Sequence, residues 1–442
     1  MKAFTKQDVI EKAREYDVKF IRLQFTNILG SLKNIAITIE ELERALNGQI
    51  SFDSSVIEGS TGFRESSVYL YPDPSTFVIF PWRPREGAVA RLICDVVAPD
   101  GSPFGGCSRL ALRNVINEYS NAGLDLQVGA EVEFFLFHTD ERGKPTVVTH
   151  DQAGYCDMTP VDMGENARRD MVLTLQEMGF DVSSSHHEIA PGQHEIFLKE
   201  DNALTMADSI ATFKFVVRTI AQRHGLHATF MPKPLADHNG SGMHLHYSLW
   251  EETENIFHDQ QAHKGHSEIL YNYTGGILYH ARAITAVTNP LINSYKRLAL
   301  NDLAPVLASW SAENRSTMLR VENQPGKGPS VVLRSPDPAS NPYLALAVTM
   351  KAGLDGVEKK MSCPAAVSGD SSESVDIRRL RREMGLPPRL EEALKALNTD
   401  DVIGEALGGH IRQRFMKTKE SELERFHLQV HQWEIEEYLK SY

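Results

Sequence analysis

One stretch constrains the fold of this 442-residue chain more than any other. It runs Leu126-Gln127-Val128-Gly129-Ala130-Glu131-Val132-Glu133-Phe134-Phe135-Leu136-Phe137. Its branched and aromatic residues predict a strand, and the apolar run predicts a buried one. Side chains two apart on a strand point the same way. Glu131 and Glu133 therefore share one side of a strand that otherwise belongs in a core. Unpaired buried charge is costly, so something must neutralise them. Cations are the natural candidates, and hard cations prefer oxygen ligands. The alternative is a pair of surface glutamates on an edge strand, and the flanking apolar run argues against it.

Three further groups look chemical. His186-His187-Glu188 and Gln193-His194-Glu195 bracket Ala190-Pro191-Gly192, which must turn the chain sharply. The turn brings Glu188 and Glu195 to its two sides, while histidines in loops are usually just solvated. Gly240-Ser241-Gly242-Met243-His244-Leu245-His246 combines glycines, which permit close approach, with two same-side histidines able to meet metal or phosphate. Arg297, Arg315, Arg320 and Arg334 fall within forty residues, and guanidinium groups bind carboxylate and phosphate bidentately. With carboxylates able to hold Mg2+, they suggest an anionic substrate and a nucleotide. Gly326-Lys327-Gly328 is no P-loop, because no Ser or Thr follows the lysine.

Lys+Arg is 46 and Asp+Glu is 59, a net charge of −13 that speaks against a nucleic-acid partner. No apolar run reaches the ~18 residues of a membrane span. Met1 to Lys6 leads into a charged helical pattern without an apolar signal region, and Cys94, Cys107, Cys156 and Cys363 form no CxxC pair. A cytoplasmic protein is expected.

Thr5 and Asp8 predict a helix start, and Lys19–Thr26 and Leu32–Thr38 predict strands around a turn at Asn27 to Gly30. A helix near Glu40 to Leu46 and strands over 66–72 and 88–96 complete a small α+β unit. Pro99 to Gly106 is dense in turn formers and reads as a linker. Helices are expected over Leu110–Ala122, Glu165–Met178, Thr205–His224, Ala345–Leu354 and the last 20 residues. In the last, Leu423, Phe426, Val430 and Trp433 form a stripe expected to pack in a core or between subunits. Ser368 to Ser374 is expected to be a mobile surface loop.

These segments together resemble a type I glutamine synthetase of the shorter alpha kind, across essentially the whole chain. The matching stretches include Tyr71-Pro72-Asp73-Pro74-Ser75-Thr76-Phe77, Phe80-Pro81-Trp82-Arg83-Pro84, Ser185 to Ile196, His227 to Pro234, Asn239 to His246, Arg334 to Leu346 and His431-Gln432-Trp433-Glu434. The resemblance implies an α+β fold: an N-terminal β-grasp domain over 1–104 and a catalytic domain with a curved antiparallel sheet over 105–442. It implies a cytoplasmic dodecamer of two hexamer rings, with sites between neighbouring subunits. It implies ATP-dependent ligation of glutamate to ammonia or another amine through γ-glutamyl phosphate, with Mg2+ or Mn2+.

Carried over by position, Glu133, Glu188 and Glu195 match ligands of a first metal, and Glu131 and His244 match two ligands of a second. Asn239, Gly240, Arg297 and Arg334 match glutamate-binding positions. Arg315 and Arg320 match phosphate-side arginines, and His246 and Ser248 match nucleotide contacts. Asp53 matches the aspartate that binds ammonium in the neighbouring subunit's site, and Tyr155 a tyrosine near that pocket.

The departures bear on activity. The family's flap reads Arg-Leu-Val-Pro-Gly-Tyr-Glu-Ala-Pro, and here Leu303 replaces its glutamate, beside Asp302. The family's Phe-Asp-Gly-Ser-Ser is Phe52-Asp53-Ser54-Ser55-Val56, and its Arg-Val-Glu-Leu-Arg is Ser330-Val331-Val332-Leu333-Arg334. A feedback arginine is replaced by Gly62. Leu303 and Val56 make the amine pocket less polar and suit an organic amine better than ammonium. Val332 and Ser330 weaken the ATP and metal side. Three readings follow: a glutamate–organic amine ligase, an ordinary glutamine synthetase, or a weakly active paralogue serving as a ligand-sensing scaffold.

Overall fold

The computed structural model describes residues 4–58, 67–84, 86–299, 304–314, 316–324, 326–367 and 384–442. Gly62, Asp302, Leu303, Arg315 and the loop expected at Ser368–Ser374 lie outside them.

The small domain carries β1 (Val18–Thr26), β2 (Leu32–Thr38), β3 (Ile50–Asp53), β4 (Ser67–Pro72), β5 (Val78–Ile79) and β6 (Ala88–Val97). Their order is β2-β1-β6-β4-β3, with β5 also on β6. β1 and β6 run parallel, the other pairs antiparallel, which is the β-grasp arrangement. Its helices are α1 (Lys6–Glu15), α2 (Leu42–Leu46) and α3 (Ser55–Glu58). The Thr5 hydroxyl accepts from the Asp8 amide and the Asp8 carboxylate accepts from the Thr5 amide, so α1 starts where the sequence placed it.

Among the described residues the large domain is built on ten strands: β7 (Leu124–Thr139), β8 (Pro145–Thr149), β9 (Val182–His187), β10 (Gln193–Asn202), β11 (Leu226–Thr229), β12 (Met243–Glu251), β13 (Glu254–Asn255), β14 (Trp310–Ser311), β15 (Leu319–Gln324) and β16 (Gly328–Leu333). The main path is β14-β15-β16-β12-β7-β10-β9. It is antiparallel apart from the short β14–β15 pair. The helices are α4 (Ser108–Asn121), α5 (Glu165–Glu177), α6 (Ala203–Arg223), α7 (Glu268–Tyr279), α8 (Ala281–Thr288), α9 (Ser294–Arg297), α10 (Pro342–Glu358), α11 (Leu390–Thr399), α12 (Asp401–His427) and α13 (Gln432–Tyr438). No helix of the described residues is long and apolar enough to cross a membrane.

Strand alternation sets the two faces of the large sheet. On β7, Leu126, Val128, Ala130, Val132, Phe134 and Leu136 enter the main core. Met243, Leu245, Tyr247 and Leu249 of β12, and Val331 and Leu333 of β16, join the same core. The intervening residues, including Glu131, Glu133, His244, His246, Ser330 and Val332, face the other way. β7 has strands on both sides, so its glutamates are not on an edge.

A buried ion cluster ties the domains together. Arg109 on α4 donates to Asp73 at 2.8 Å, to Asp95 at 2.9 Å and to Asp208 of α6 at 2.9 Å. Three carboxylates around one guanidinium offset the cost of burying it.

The C-terminal stripe is divided between two helices and only partly buried within one chain. The helix ends at His427 and another starts at Gln432, with the backbone extended at His431. Leu423 is buried, whereas Val430 and Trp433 are exposed.

Candidate active site

Register alone gathers the predicted carboxylates. His244 of β12 sits opposite Glu131 of β7. Glu133 sits opposite Glu195 of β10, and Glu195 opposite His186 of β9. The β9–β10 hairpin closes through Gly192, whose φ of 66° an L side chain adopts with strain, and the Glu188 amide donates to the Gln193 carbonyl at 2.8 Å. Glu188 therefore hangs over the same corner as Glu195.

The ligand atoms of His186, Glu188 and Glu195 lie within 4.8 Å of one another, and so do those of Glu131, Glu195 and His244. Glu195 belongs to both groups. Glu133 is held beside them: its Oε2 accepts from Gln193 Nε2 at 2.9 Å and from the Gly242 amide at 2.8 Å. Its Oε1 lies 3.9 Å from His244 Nε2. A Cβ at position 242 would stand 2.6 Å from Arg297 Nη2, so any side chain there must displace the guanidinium.

Crowded carboxylates raise one another's pKa. Burial first, then Glu131, Glu133 and Glu188, push Glu195 up to about 10. Burial and then Glu188 push Glu133 up to about 7. Glu131 moves the other way. Burial opposes its charge, but the two imidazoles beside it outweigh burial and hold it well below the usual range. His244 Nδ1 is 2.9 Å from Glu131 Oε2, and His246 Nε2 is 3.1 Å from Oε1. Burial, then Arg334, push His244 down to about 4. A divalent cation at Glu188 and Glu195 would relieve the repulsion, and the oxygen-rich donor set fits Mg2+ or Mn2+.

The β16 side is different. Val332 lies opposite His246 on one side and Arg320 on the other. It is buried on the site face, outside the main core, and offers no ligand atom. Arg320 Nη1 is paired with Glu322 Oε1 at 3.0 Å. On this side the group of side chains able to hold a cation is Glu131 and His244, together with Glu195.

The remaining predicted residues take distinct positions. Arg297 is buried and donates to the carbonyls of Ser335 at 2.8 Å and Pro336 at 3.1 Å, which fixes its fork near Gly242. Arg334 is desolvated, and its Nε has no hydrogen-bond partner among the described residues. Asn239 and Gly240 are half-buried, and the Gly240 carbonyl accepts from Gln193. Ser248 is buried and accepts from Trp250 Nε1. Tyr155 is 56% exposed, its ring edge-on to His186 at 5.4 Å. Asp53 ends β3 in the small domain, where its Oδ1 accepts from the Ser55 amide at 2.9 Å; it does not join the carboxylate groups.

The sequence reading missed the supports. His186, placed only as a loop residue, is 3.0 Å from Glu188 and 3.7 Å from Glu195. His187 and His194 are not solvated loop residues but fully buried. His187 meets Asp151 at 3.0 Å, and Arg168 bridges Asp162 at 2.7 Å and His194 at 2.8 Å. The His-His-Glu and Gln-His-Glu patterns carried the signal: on strands, each middle histidine must face away from the glutamate beside it.

With this geometry in place, comparison with known proteins is direct. Residues 17–99 match the glutamine synthetase β-grasp domain, and residues 105–438 match the glutamine synthetase catalytic domain. The chain belongs to the glutamine synthetase family. It is 48% identical over 445 residues to a glutamine synthetase of Clostridium saccharobutylicum, covering 100% of both chains. It is 48% identical over 446 residues to one of Staphylococcus aureus strain Mu50, covering 100% of this chain and 99% of that one. Among solved structures, a GmaS/ADP complex superposes with a TM-score of 0.88 at 30% identity, covering 98% and 99% of the two chains. Plasmodium falciparum glutamine synthetase shares the fold, with a TM-score of 0.85 at 24% identity over 99% and 100%. As a family member the chain is an ATP-dependent ligase with small-molecule substrates.

Proposed function

We propose that this ligase joins the γ-carboxylate of glutamate to an organic amine through γ-glutamyl phosphate. In this reading Glu133, Glu188 and Glu195, with His186 beside them, hold the first Mg2+ or Mn2+, and Glu131 and His244 receive a weaker second ion. Bound cations supply charge neutralisation for the phosphates. Arg297, Arg334, Asn239 and Gly240 orient glutamate. His246, Ser248 and Arg320 face the nucleotide, and Arg315 the transferred phosphoryl group. Asp53 and Tyr155 border the amine pocket, Asp53 from a neighbouring subunit of a twelve-membered double ring, with the domain boundary at 104/105.

The observation that carries the acceptor is Val56. It is 41% exposed on α3, three residues after Asp53, where the family has serine. An apolar side chain left uncovered there favours the hydrocarbon of an organic amine over ammonium. The second reading is ammonia as acceptor, favoured by 48% identity to glutamine synthetases over the full length.

The test is ADP release by the purified protein with Mg-ATP and glutamate, adding no amine, ammonia, or alkyl, aryl and polyamines, with mass spectrometry of products. Turnover with an organic amine well above ammonia is expected. Equal or better turnover with ammonia sinks the acceptor assignment. Silence with every amine, in assembled protein, favours the scaffold role instead.

A further inference from the structure

A cavity of about 1140 Å³ opens between the small domain and the N-terminal half of α6, and none of the carboxylates Glu131, Glu133, Glu188 and Glu195 lines it. Phe77, Phe80, Leu198, Leu204 and Met206 give it apolar walls. Arg91 of β6 also lines it, yet is only 3% exposed. Its Nε and Nη1 have no hydrogen-bond partner among the described residues. Buried polar groups are almost always partnered, so unused guanidinium donors in a cavity wall call for an acceptor.

The nearby carboxylates do not supply it. Asp208 favours the Arg91 charge, but it accepts from Arg109 and from the Tyr343 hydroxyl at 2.7 Å. Asp73 is taken by Arg109 and Arg113. Burial pushes Arg91 down to about 10, still charged at neutral pH.

The rest of the lining is mixed, with an acidic excess. Glu15, Glu86, Glu177, Asp181 and Asp201 outnumber Lys12, Arg83 and Lys199, while Asp17 is already paired with Lys19. A simple anion meets repulsion there, and a simple amine meets Arg91. We propose that this cavity binds an ω-amino acid, a zwitterion with an apolar spacer, its carboxylate on Arg91 and its ammonium among the lining carboxylates. Charge-assisted, bidentate contact with a carboxylate is what a guanidinium fork provides.

Calorimetry on the full-length assembled protein tests this. The probes are 4-aminobutyrate, 6-aminohexanoate and 8-aminooctanoate, with octanoate, octylamine and leucine as controls. An ω-amino acid is expected to bind at least about tenfold tighter than every control, also in saturating glutamate. Arg91→Met should remove that binding. Val78→Trp, at the cross-strand neighbour of Arg91 in the cavity wall, should remove it without touching the charge. Light scattering checks that both variants assemble, so one folded variant suffices. Equal binding of octanoate or leucine, displacement by glutamate, undiminished binding in a folded variant, or no binding of any probe each overturns the proposal.

Discussion

Two halves of one sheet face make up the candidate site, and they differ in completeness. The β7–β10–β9 half crowds carboxylates with His186 around one corner. The β12–β16–β15 half has a valine where a ligand is expected, and an arginine already paired with a glutamate. Both rest on the same register and the same core, so folding does not require the missing carboxylate. Fold and catalytic polarity are separable here because strand alternation sends them to opposite faces.

The comparison breaks first at Glu195, the carboxylate shared by both metal groups. Glu195→Gln is expected to abolish calorimetric Mn2+ binding and lower turnover by about a thousandfold or more, since on the proposed reading it removes charge from a ligand of the cation. Glu131→Gln should cost less, roughly tenfold, because its partners are two imidazoles. Equal losses would mean the two halves hold their cations equally well.

The reverse change sharpens the contrast. Val332→Glu with Ser330→Arg should tighten the weaker second Mn2+ and tighten Mg-ATP, each by roughly tenfold. Unchanged affinities would show that the β16 side is not limited by these residues.

Much of this was legible in the sequence. Glu131 and Glu133 could be assigned to one buried strand face from alternation alone, and β7 proved central. What escaped was cross-strand pairing: nothing local says that His186 lies opposite Glu195, or that Gly242 donates to Glu133 across 109 positions. The burial of His187 and His194 escaped for the same reason, since their partners Asp151 and Arg168 lie 36 and 26 positions away in the chain. The break at 428–431 escaped as well, because helical spacing does not reveal it.

The carboxylate half also predicts a pH signature. Glu133 and Glu195 are raised from an ordinary 4.5 to about 7 and about 10. The fold then keeps protons that the unfolded chain releases above pH 4.5. Without cations, their contribution to stability is full below that pH and is lost as pH rises, through about 7 for Glu133 and about 10 for Glu195. Mn2+ needs the ionised forms, so it should release protons on binding and flatten the fall in melting temperature between pH 5 and 9. Binding without proton release would show these glutamates already ionised.

The smallest effect belongs to the other half. Arg320 and Glu322 lie 3.0 Å apart, with about a quarter of each side chain exposed. Solvent screens such a pair, so its strength is modest, about 0.2–1 kcal/mol. Glu322→Gln frees the guanidinium without removing its bulk. If Arg320 meets phosphate, the KM for ATP should fall by roughly two- to threefold while kcat stays put, because the gain is binding rather than chemistry. The effect should fade as ionic strength rises. A KM that does not move, at low salt and in assembled protein, would place Arg320 away from the nucleotide and leave Val332 as the feature that sets this half apart.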